Sequence, residues 1–450
     1  MSKEVKIKRG INIKLKGEAE KIFTEAPAAK TVALKPTDFP GIVPKMLVKA
    51  GAEVKAGTPL FFDKKNEKVV FTSPVSGEVA EIRRGEKRKI LEVVVLADEE
   101  TRYESFKKAD PTTLSREEIK TELLKSGMWP FIRQRPFDVI ANPEDTPKSI
   151  FISAFDSAPL AADNDFMLHR QEEDFQLGIN AIKQLTDGTV HLNVNGKIKA
   201  NDTFLKAKNV QINKIYGPHP AGNPGVQIHH IDPVNKGEVA WVVSPRDVLM
   251  IGRLFKEGRF DARISVAVAG SQVKAPKYYK TVMGASVESL VQQNLNEGAV
   301  RFVSGNALTG SRVERNGYLG FYDNLITVLP EGGNEQLFGW LAPGFDKFSI
   351  SKTFFSWLTP GKEYDLNTNL NGEKRAFVVT GEYEKVFPMD IYPVQLLKAI
   401  MIEDIELMEN LGIYEVAPED FALCEYVCTS KINVQSIVRE GLDKLKVELS

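Results

Sequence analysis

Residues 48 to 82 read VKAGAEVKAGTPLFFDKKNEKVVFTSPVSGEVAEI, and no other stretch restricts the fold as tightly. The tetrapeptide VKAG occurs at 48–51 and again at 54–57, each time closing on a glycine, and Thr58-Pro59 and Ser73-Pro74 interrupt the runs that follow. Glycine reaches positive φ without steric penalty, so each repeat can hand one strand over to the next in a tight turn. Alternating apolar residues in GEVAEI and KILEVVVL extend the pattern to about residue 97. Many short strands at this spacing predict a compact β module, so residues 1–100 are expected to form a first domain.

The period changes after residue 112. Ser115 and Glu118 have the spacing of a capping box, Ile119, Leu123 and Leu124 follow at helical intervals, and Gly127 can end the helix. SIFISAF (149–155), TVHLNV (189–194) and NVQINKIY (209–216) then read as strands. They alternate with a helix over EEDFQLGINAIKQLTDG, and a further helix follows over SPRDVLMIGRLFKEG, with Ser244 as cap, Pro245 at the first helical position and Gly258 as stop. This alternation predicts an α/β layer with a largely parallel sheet over 101–258. From 259 to 335, paired strands in ARISVAVAGSQV and YYKTVMG, one helix in SVESLVQQNLNEG and strands in RFVSG, GYLGF and LITVLPEG suggest a β-grasp-like module. Residues 336–450 are expected to close the chain with a small helical domain, beginning at YPVQLLKAIMIEDIELMENLG.

Charge and cysteine content narrow the function. Lys plus Arg (59) nearly cancels Asp plus Glu (60), which leaves no broad basic footprint for nucleic acid. The 2 cysteines cannot build a disulfide framework and fit a reducing compartment. No stretch approaches the ~20 apolar residues of a spanning helix, so membrane contact is expected to be peripheral.

Four features could carry chemistry. Lys68 precedes Ser73-Pro74 at a spacing that lipoyl and biotinyl carrier domains also use, and a swinging arm on it is one reading. Lys64, Lys65 and Glu67 around it give the other, a solvated turn. Cys424 and Cys428 are too few for a zinc site or an iron-sulfur cluster and read as small hydrophobes on one face of a packed helix. His229 and His230, read as part of an extended VQIHHID, would project to opposite faces and could not grip one ion. His219 lies in YGPHPAGNPG (216–225), a loop stiffened by prolines that offers backbone N–H groups at its glycines, either as a binding platform or for domain packing. The fourth is SGMWPFIRQRPFDVIANP (126–143), between a helix and a strand, where a nucleotide-binding domain would place a glycine-rich turn. Trp129, Phe131 and Phe137 with Arg133 and Arg135 instead suggest an aromatic, cationic surface for a flat apolar ligand or a protein partner.

Several blocks together (IKRGINIKLKGEAEKI, TSPVSGEVAEIRRGEKRKI, YGPHPAGNPGVQIHHIDPV and ALCEYVC) resemble, nearly end to end, the family of A subunits of the bacterial Na+-translocating NADH:quinone oxidoreductases (Na+-NQR). That family is in turn similar to the C subunits of the Rnf complexes and to the flavin-binding NADH subunit of respiratory complex I. The resemblance implies an α/β multidomain chain: a barrel-sandwich (lipoyl/biotinyl-carrier-like) domain, a Rossmann-like α/β domain, an SLBB-type β-grasp domain and a C-terminal helical domain. It also implies a peripheral subunit on the cytoplasmic face of the bacterial inner membrane. Its partners would be the other subunits of the pump, especially a quinone-binding integral-membrane one. In the flavin-binding relatives the counterpart of 126–143 is a glycine-rich loop around FMN; here it holds aromatics, and FDSAP keeps only Asp156 and Pro159 of an acidic motif. Cys424 and Cys428 look like the last pair of a four-cysteine set, with Thr429 in place of a proline. The expectation is a chain without cofactors of its own, with FMN, FAD, riboflavin and iron-sulfur in partner subunits. Ubiquinone or menaquinone, as substrate of the complex, would meet Trp129, Phe131, Arg133, Phe137, His219 and Gly222. A modified Lys68 and a pure assembly scaffold are the alternatives.

Overall fold

A computed structural model describes residues 2–333, 339 and 341–449. Two small sheets make the first module: a 4-stranded one, Thr31–Leu34, Ile90–Ala97, Gly77–Arg84 and Glu53–Val54 in spatial order, and a 3-stranded one of Pro44–Met46, Pro59–Asp63 and Asn66–Thr72. Val32, Leu60, Phe61, Phe71, Val79 and Val93 fill the space between them, the inward halves of the alternating runs. The two VKAG glycines both take positive φ, 83° at Gly51 and 97° at Gly57. The repeat therefore encodes one backbone turn twice, as read from the sequence.

The α/β domain is built on a 7-stranded sheet in the order Glu4–Lys6, Gln211–Tyr216, Thr189–Asn195, Ser149–Ser153, Ala240–Val242, Arg133–Arg135, Val139–Ile140. The first five run parallel, and Arg133–Arg135 pairs antiparallel with both Ala240–Val242 and Val139–Ile140. Local signals define its helices. Ser115 and Glu118 form the expected capping box on Arg116–Ser126, which Gly127 ends at φ 74°. Ser244 caps Pro245–Glu257, and Gly258 ends that helix at φ 69°. A Cβ on Gly178 or Gly252 would collide with backbone of the facing helix, so glycine permits the close crossing of Glu172–Gln184 and Pro245–Glu257.

The third sheet has 6 strands, in the order Ser311–Val313, Val300–Ser304, Leu325–Pro330, Arg263–Ala269, Lys277–Val282, Glu20–Glu25. Its helix is short, Val287–Val291. GYLGF, expected as a strand, is instead a loop with a single bridge from Ser286 to Tyr318, because Tyr318, Leu319 and Phe321 are drawn inward to separate packing sites. The tail is helical at Tyr383–Val386, Pro393–Met401, Ile405–Asn410, Ala422–Val427 and Val434–Glu448, whereas residues 341–382 contain only one short 3-10 turn, Phe355–Leu358. The expected boundary at 335/336 falls outside the described residues.

The first module does not own all of residues 1–100. Glu4–Lys6 completes the α/β sheet and Glu20–Glu25 completes the third. Between them, Ile7–Leu15 crosses the 216–225 loop: Ile7 N–H donates to the Tyr216 carbonyl (2.7 Å) and Ile11 N–H to the His219 carbonyl (2.9 Å). These pairings are nonlocal: the alternation of apolar and basic residues over 5–15 marks extended chain but not which sheet receives it.

Candidate functional site

The aromatic segment after Gly127 is a core, not a surface. Trp129 and Phe131 lie in a 3-10 turn with Pro130 and are wholly buried. The Trp129 indole N–H donates to the Ala141 carbonyl at 2.7 Å, and its ring meets Trp241 edge-on at 5.5 Å. Phe131 stacks on Phe321 of the third domain (5.0 Å) and on Phe260 (6.4 Å). Phe321 meets Phe39, which meets Phe71, which stacks on Phe61. One ladder of rings thus runs through the first three domains. The expected exposed patch is corrected here: rings from three domains remove more apolar area from water by meeting each other than by facing solvent. Arg133 stays half-buried, with its guanidinium 5.2 Å from the Tyr322 ring centroid. The Tyr322 hydroxyl donates to the Pro130 carbonyl at 2.7 Å.

Beside this ladder is a small cavity of about 10 Å³, lined by Ala33, Leu34, Lys35, Asp38, Phe260 and Phe321 among others. It holds roughly one water. Lys35 is the cation at this junction: its Nζ donates to the Tyr318 carbonyl (3.2 Å) and lies 3.6 Å from Asp38. The Asp38 carboxylate accepts from Phe321 N–H at 2.8 Å. Burial raises the Asp38 carboxyl to about 6, against the pull of Lys35 and that N–H. At the size of one water the cavity admits no ring as it stands; what it offers is one cation and one acid against apolar walls.

From Arg133 a buried polar seam leads toward the carboxyl ends of the parallel strands, where open α/β sheets place their ligands. Arg135 is fully buried, pairs with Asp138 and reaches Glu419 of the helical tail at 2.8 Å. Burial works to raise the Asp138 carboxyl, but Arg135, Arg133 and Arg439 override it and bring it down to about 2. Phe137, half-buried at φ 81°, meets Tyr414 edge-on at 6.5 Å. Asn223 does not cap the helix Pro224–Ile231; its amide donates to the Glu419 carbonyl at 3.1 Å. Asp420 lies against Gly225, leaving no room for a Cβ there. Burial and the neighbouring Glu419 push its carboxyl up to about 7.

At the far end of the seam, His219 is 2% exposed. Its Nδ1 lies 3.0 Å from Ser157 Oγ, which also accepts from Gly222 N–H at 2.8 Å. The arrangement that uses the Ser157 hydrogen has Ser157 donating to Nδ1, which assigns the remaining proton to Nε2. That Nε2 is buried without a partner among the described residues. Burial lowers the imidazole to about 4, so the ring is neutral at pH 7. Gly222 is required by space, since a Cβ would lie 2.6 Å from Ser157 N. Of the six residues expected from the sequence, Phe131 and Arg133 lie at the three-domain end, Phe137 along the seam and His219 and Gly222 at its other end, while Trp129 packs on Ala141 and Trp241. Asp156, from the same reading, precedes Ser157 and is exposed, its carboxylate accepting from Ala158 N–H at 2.8 Å.

The other candidates have structural partners. Lys68 is the third residue of strand Asn66–Thr72, not the tip of the turn, which Lys64 and Lys65 occupy; its Nζ is 2.7 Å from Glu144 of the α/β domain. His229 and His230 lie on helix Pro224–Ile231, which corrects the extended reading: Pro224 fits the first turn and nucleates it. His229 is a tie to the tail, with Nδ1 2.7 Å from Glu415 and Nε2 accepting from Asp390 N–H at 2.9 Å. Cys424 and Cys428 are buried free thiols, and Cys428 lies just past the end of Ala422–Val427, so they do not share a helical face. Burial raises the Cys424 thiol well above its usual range. Among the described residues no group of three or more His, Cys, Asp or Glu could hold a metal ion.

Lys35, Asp38, Tyr322, Glu419 and Asp420 were not legible in the sequence. Lys35 and its acceptor Tyr318 are 283 positions apart, and nothing local in KPTDF marks them.

Comparison with known proteins covers most of the chain. Residues 5–98 match the NqrA N-terminal barrel-sandwich hybrid domain, 114–260 the NqrA second alpha/beta domain and 265–315 the NQRA C-terminal domain of SLBB type. The chain is 38% identical over 449 residues to the A subunit of the Na(+)-translocating NADH-quinone reductase of Rhodopirellula baltica, covering 98% of each. It is 38% identical to the protein so named in Photorhabdus laumondii and 39% identical to that of Serratia proteamaculans, in both cases over 99% of this chain and 100% of the relative. An NAD+-reducing [NiFe]-hydrogenase structure in the air-oxidized state aligns with 75% of this chain and 61% of its own at 12% identity and a TM-score of 0.36, too distant to carry an argument.

Proposed function

The chain belongs to the family of Na(+)-translocating NADH-quinone reductase A subunits, and from that membership we propose that it serves a sodium-pumping NADH:quinone reductase as a peripheral subunit that receives the quinone headgroup. In this reading it lies on the cytoplasmic face of the bacterial inner membrane, docks on an integral-membrane quinone-binding subunit and carries no flavin or cluster. Electrons and Na+ pass through partner subunits.

The observation that carries the reading is the junction cavity. Ring walls from Phe260 and Phe321, backed by Phe131, combine with Lys35 and Asp38. Lys35 would donate to one carbonyl of the headgroup, and Asp38, raised to about 6, would hold a proton beside the other, the electrons being supplied by a partner subunit. At about 10 Å³ the cavity is closed to a ring, so entry requires the first and third domains to separate along the ladder. Arg133 over Tyr322 lies beside that path; at the other end of the seam Gly222 leaves room for Ser157, and the neutral His219 Nε2–H is a second donor. Lys68 paired to Glu144 counts against the carrier reading, because a swinging lysine must be free of its own scaffold.

The test is a quinone photoaffinity label on the assembled complex, mapped by peptide mass. Labels are expected on peptides containing 33–38 and 129–133. Labels confined to membrane subunits would reduce the chain to a scaffold.

A further inference from the structure

Residues 341–362 have inverted polarity. Leu341 (66% exposed), Phe345 (53%), Phe355 (51%), Trp357 (49%) and Leu358 (58%) face solvent, whereas Ser356 between them is buried, its hydroxyl donating to the Lys347 carbonyl at 2.5 Å. The segment has a defined shape. Phe345 and Phe355 meet at 6.0 Å, Phe355 N–H donates to the Pro343 carbonyl (2.9 Å), and Lys362 Nζ donates to the Phe345 carbonyl (3.0 Å). It is anchored from beneath by Phe348 against Tyr364 (5.3 Å) and Tyr426 (6.3 Å), and by the pairing of Leu15 with Tyr364. A fold that turns a hydroxyl inward and five large apolar side chains outward is arranged for an apolar exterior.

The charges around the rings select that exterior. The segment carries Lys347, Lys352 and Lys362 against Asp346, which Lys362 pairs at 2.5 Å; beside it exposed Lys14 and Lys16 are matched by exposed Glu363 and Asp365, so Lys347 and Lys352 supply the excess positive charge. Protein interfaces deplete lysine from their cores, whereas Trp, Phe and Leu ringed by lysines are the composition of a surface bound to anionic lipid. Among the described residues no helix is long and apolar enough to cross a membrane.

We propose that the 341–362 segment is a lipid-contacting foot that inserts Phe345, Phe355, Trp357 and Leu358 into the interface of an anionic bilayer while its lysines meet the headgroup phosphates. The inference rests on the peripheral reading above and adds the face by which the chain touches the membrane. It predicts that quinone is delivered from the lipid with this face down.

The test uses the full chain with vesicles of phosphatidylcholine alone or mixed with phosphatidylglycerol, some bearing brominated acyl chains. Binding is expected on the mixed vesicles only and to weaken with salt. In a Trp340→Phe background, bromine should quench emission while Trp357 is present and not after Trp357→Phe, since Trp129 and Trp241 are fully buried. The double variant Phe345→Ser/Phe355→Ser should bind at least about tenfold more weakly while melting at the wild-type temperature, because both rings are exposed. Absence of binding to mixed vesicles, or equal binding by the double variant, overturns the proposal. So does a protein crosslink through 341–362 in the assembled complex that a lipid-borne photolabel fails to reproduce. Copurification with the membrane subunits distinguishes the two levels: if it persists without vesicle binding, only the foot falls, and if it is lost, the peripheral reading falls too.

Discussion

His219 is held neutral by its surroundings, which has a measurable consequence. Its folded value of about 4 lies below the ~6.5 of an unfolded histidine, so the unfolded chain binds the extra proton first as pH falls. Stability is therefore full above about pH 6.5 and declines toward pH 4, by on the order of 3 kcal/mol for this group once both values are passed. His191, also lowered to about 4 by burial, contributes in the same direction. Urea unfolding of His219→Gln between pH 7.5 and 5 should show an acid slope shallower than wild type by as much as one proton, and an unchanged slope would mean that the ring already titrates normally. At the same scale, Gly222→Ala should disturb the Ser157 network that fixes the tautomer, because the added methyl would lie 2.6 Å from Ser157 N. A lower melting temperature together with a raised His219 pKa by NMR is the expected pair of readouts.

At the scale of elements, the turn Trp129–Phe131 joins three domains. Phe131→Ala removes a ring that stacks on two others and should cost about 3–5 kcal/mol. Thermal melting should also lose cooperativity, as the first and third domains come apart from the α/β layer before it unfolds. Phe131→Leu should retain most of the stability and the single transition. The capped helices were legible from the sequence because their signals are local: Ser115 with Glu118, and Ser244 with Gly258, need only four to fifteen neighbouring residues to act. The aromatic turn was misjudged for the opposite reason. WPFIR supplies the same apolar and cationic side chains whether they face a ligand or another domain, and the partners Phe321 and Tyr322 lie far along the chain. Likewise VQIHHI alternates like a strand, and the decision for helix came from Pro224 at its start and from burial of Val226, Ile228 and Ile231 together.

For the molecule as a whole, four expected domains are present in the expected order, but the boundaries between them are crossed by the chain's own first strands. Strand Glu4–Lys6 pairs with Gln211–Tyr216, and the strap that follows covers the His219 loop. Replacing the buried Val5 and Ile7 together by lysine should undock this strap and open Lys8 and Arg9 to trypsin, with the 7-stranded sheet otherwise intact by circular dichroism. Protection equal to wild type would show that the strand contributes nothing to the assembly of domains.

That same strand fixes an order of events in the cell. A ribosome releases Glu4–Lys6 long before residues 211–216 exist to receive it, and Glu20–Glu25 long before Lys277–Val282. Both strands therefore wait unpaired while roughly 200 or more residues are added after each, and until then they remain open to chaperones and proteases as the nascent chain lengthens.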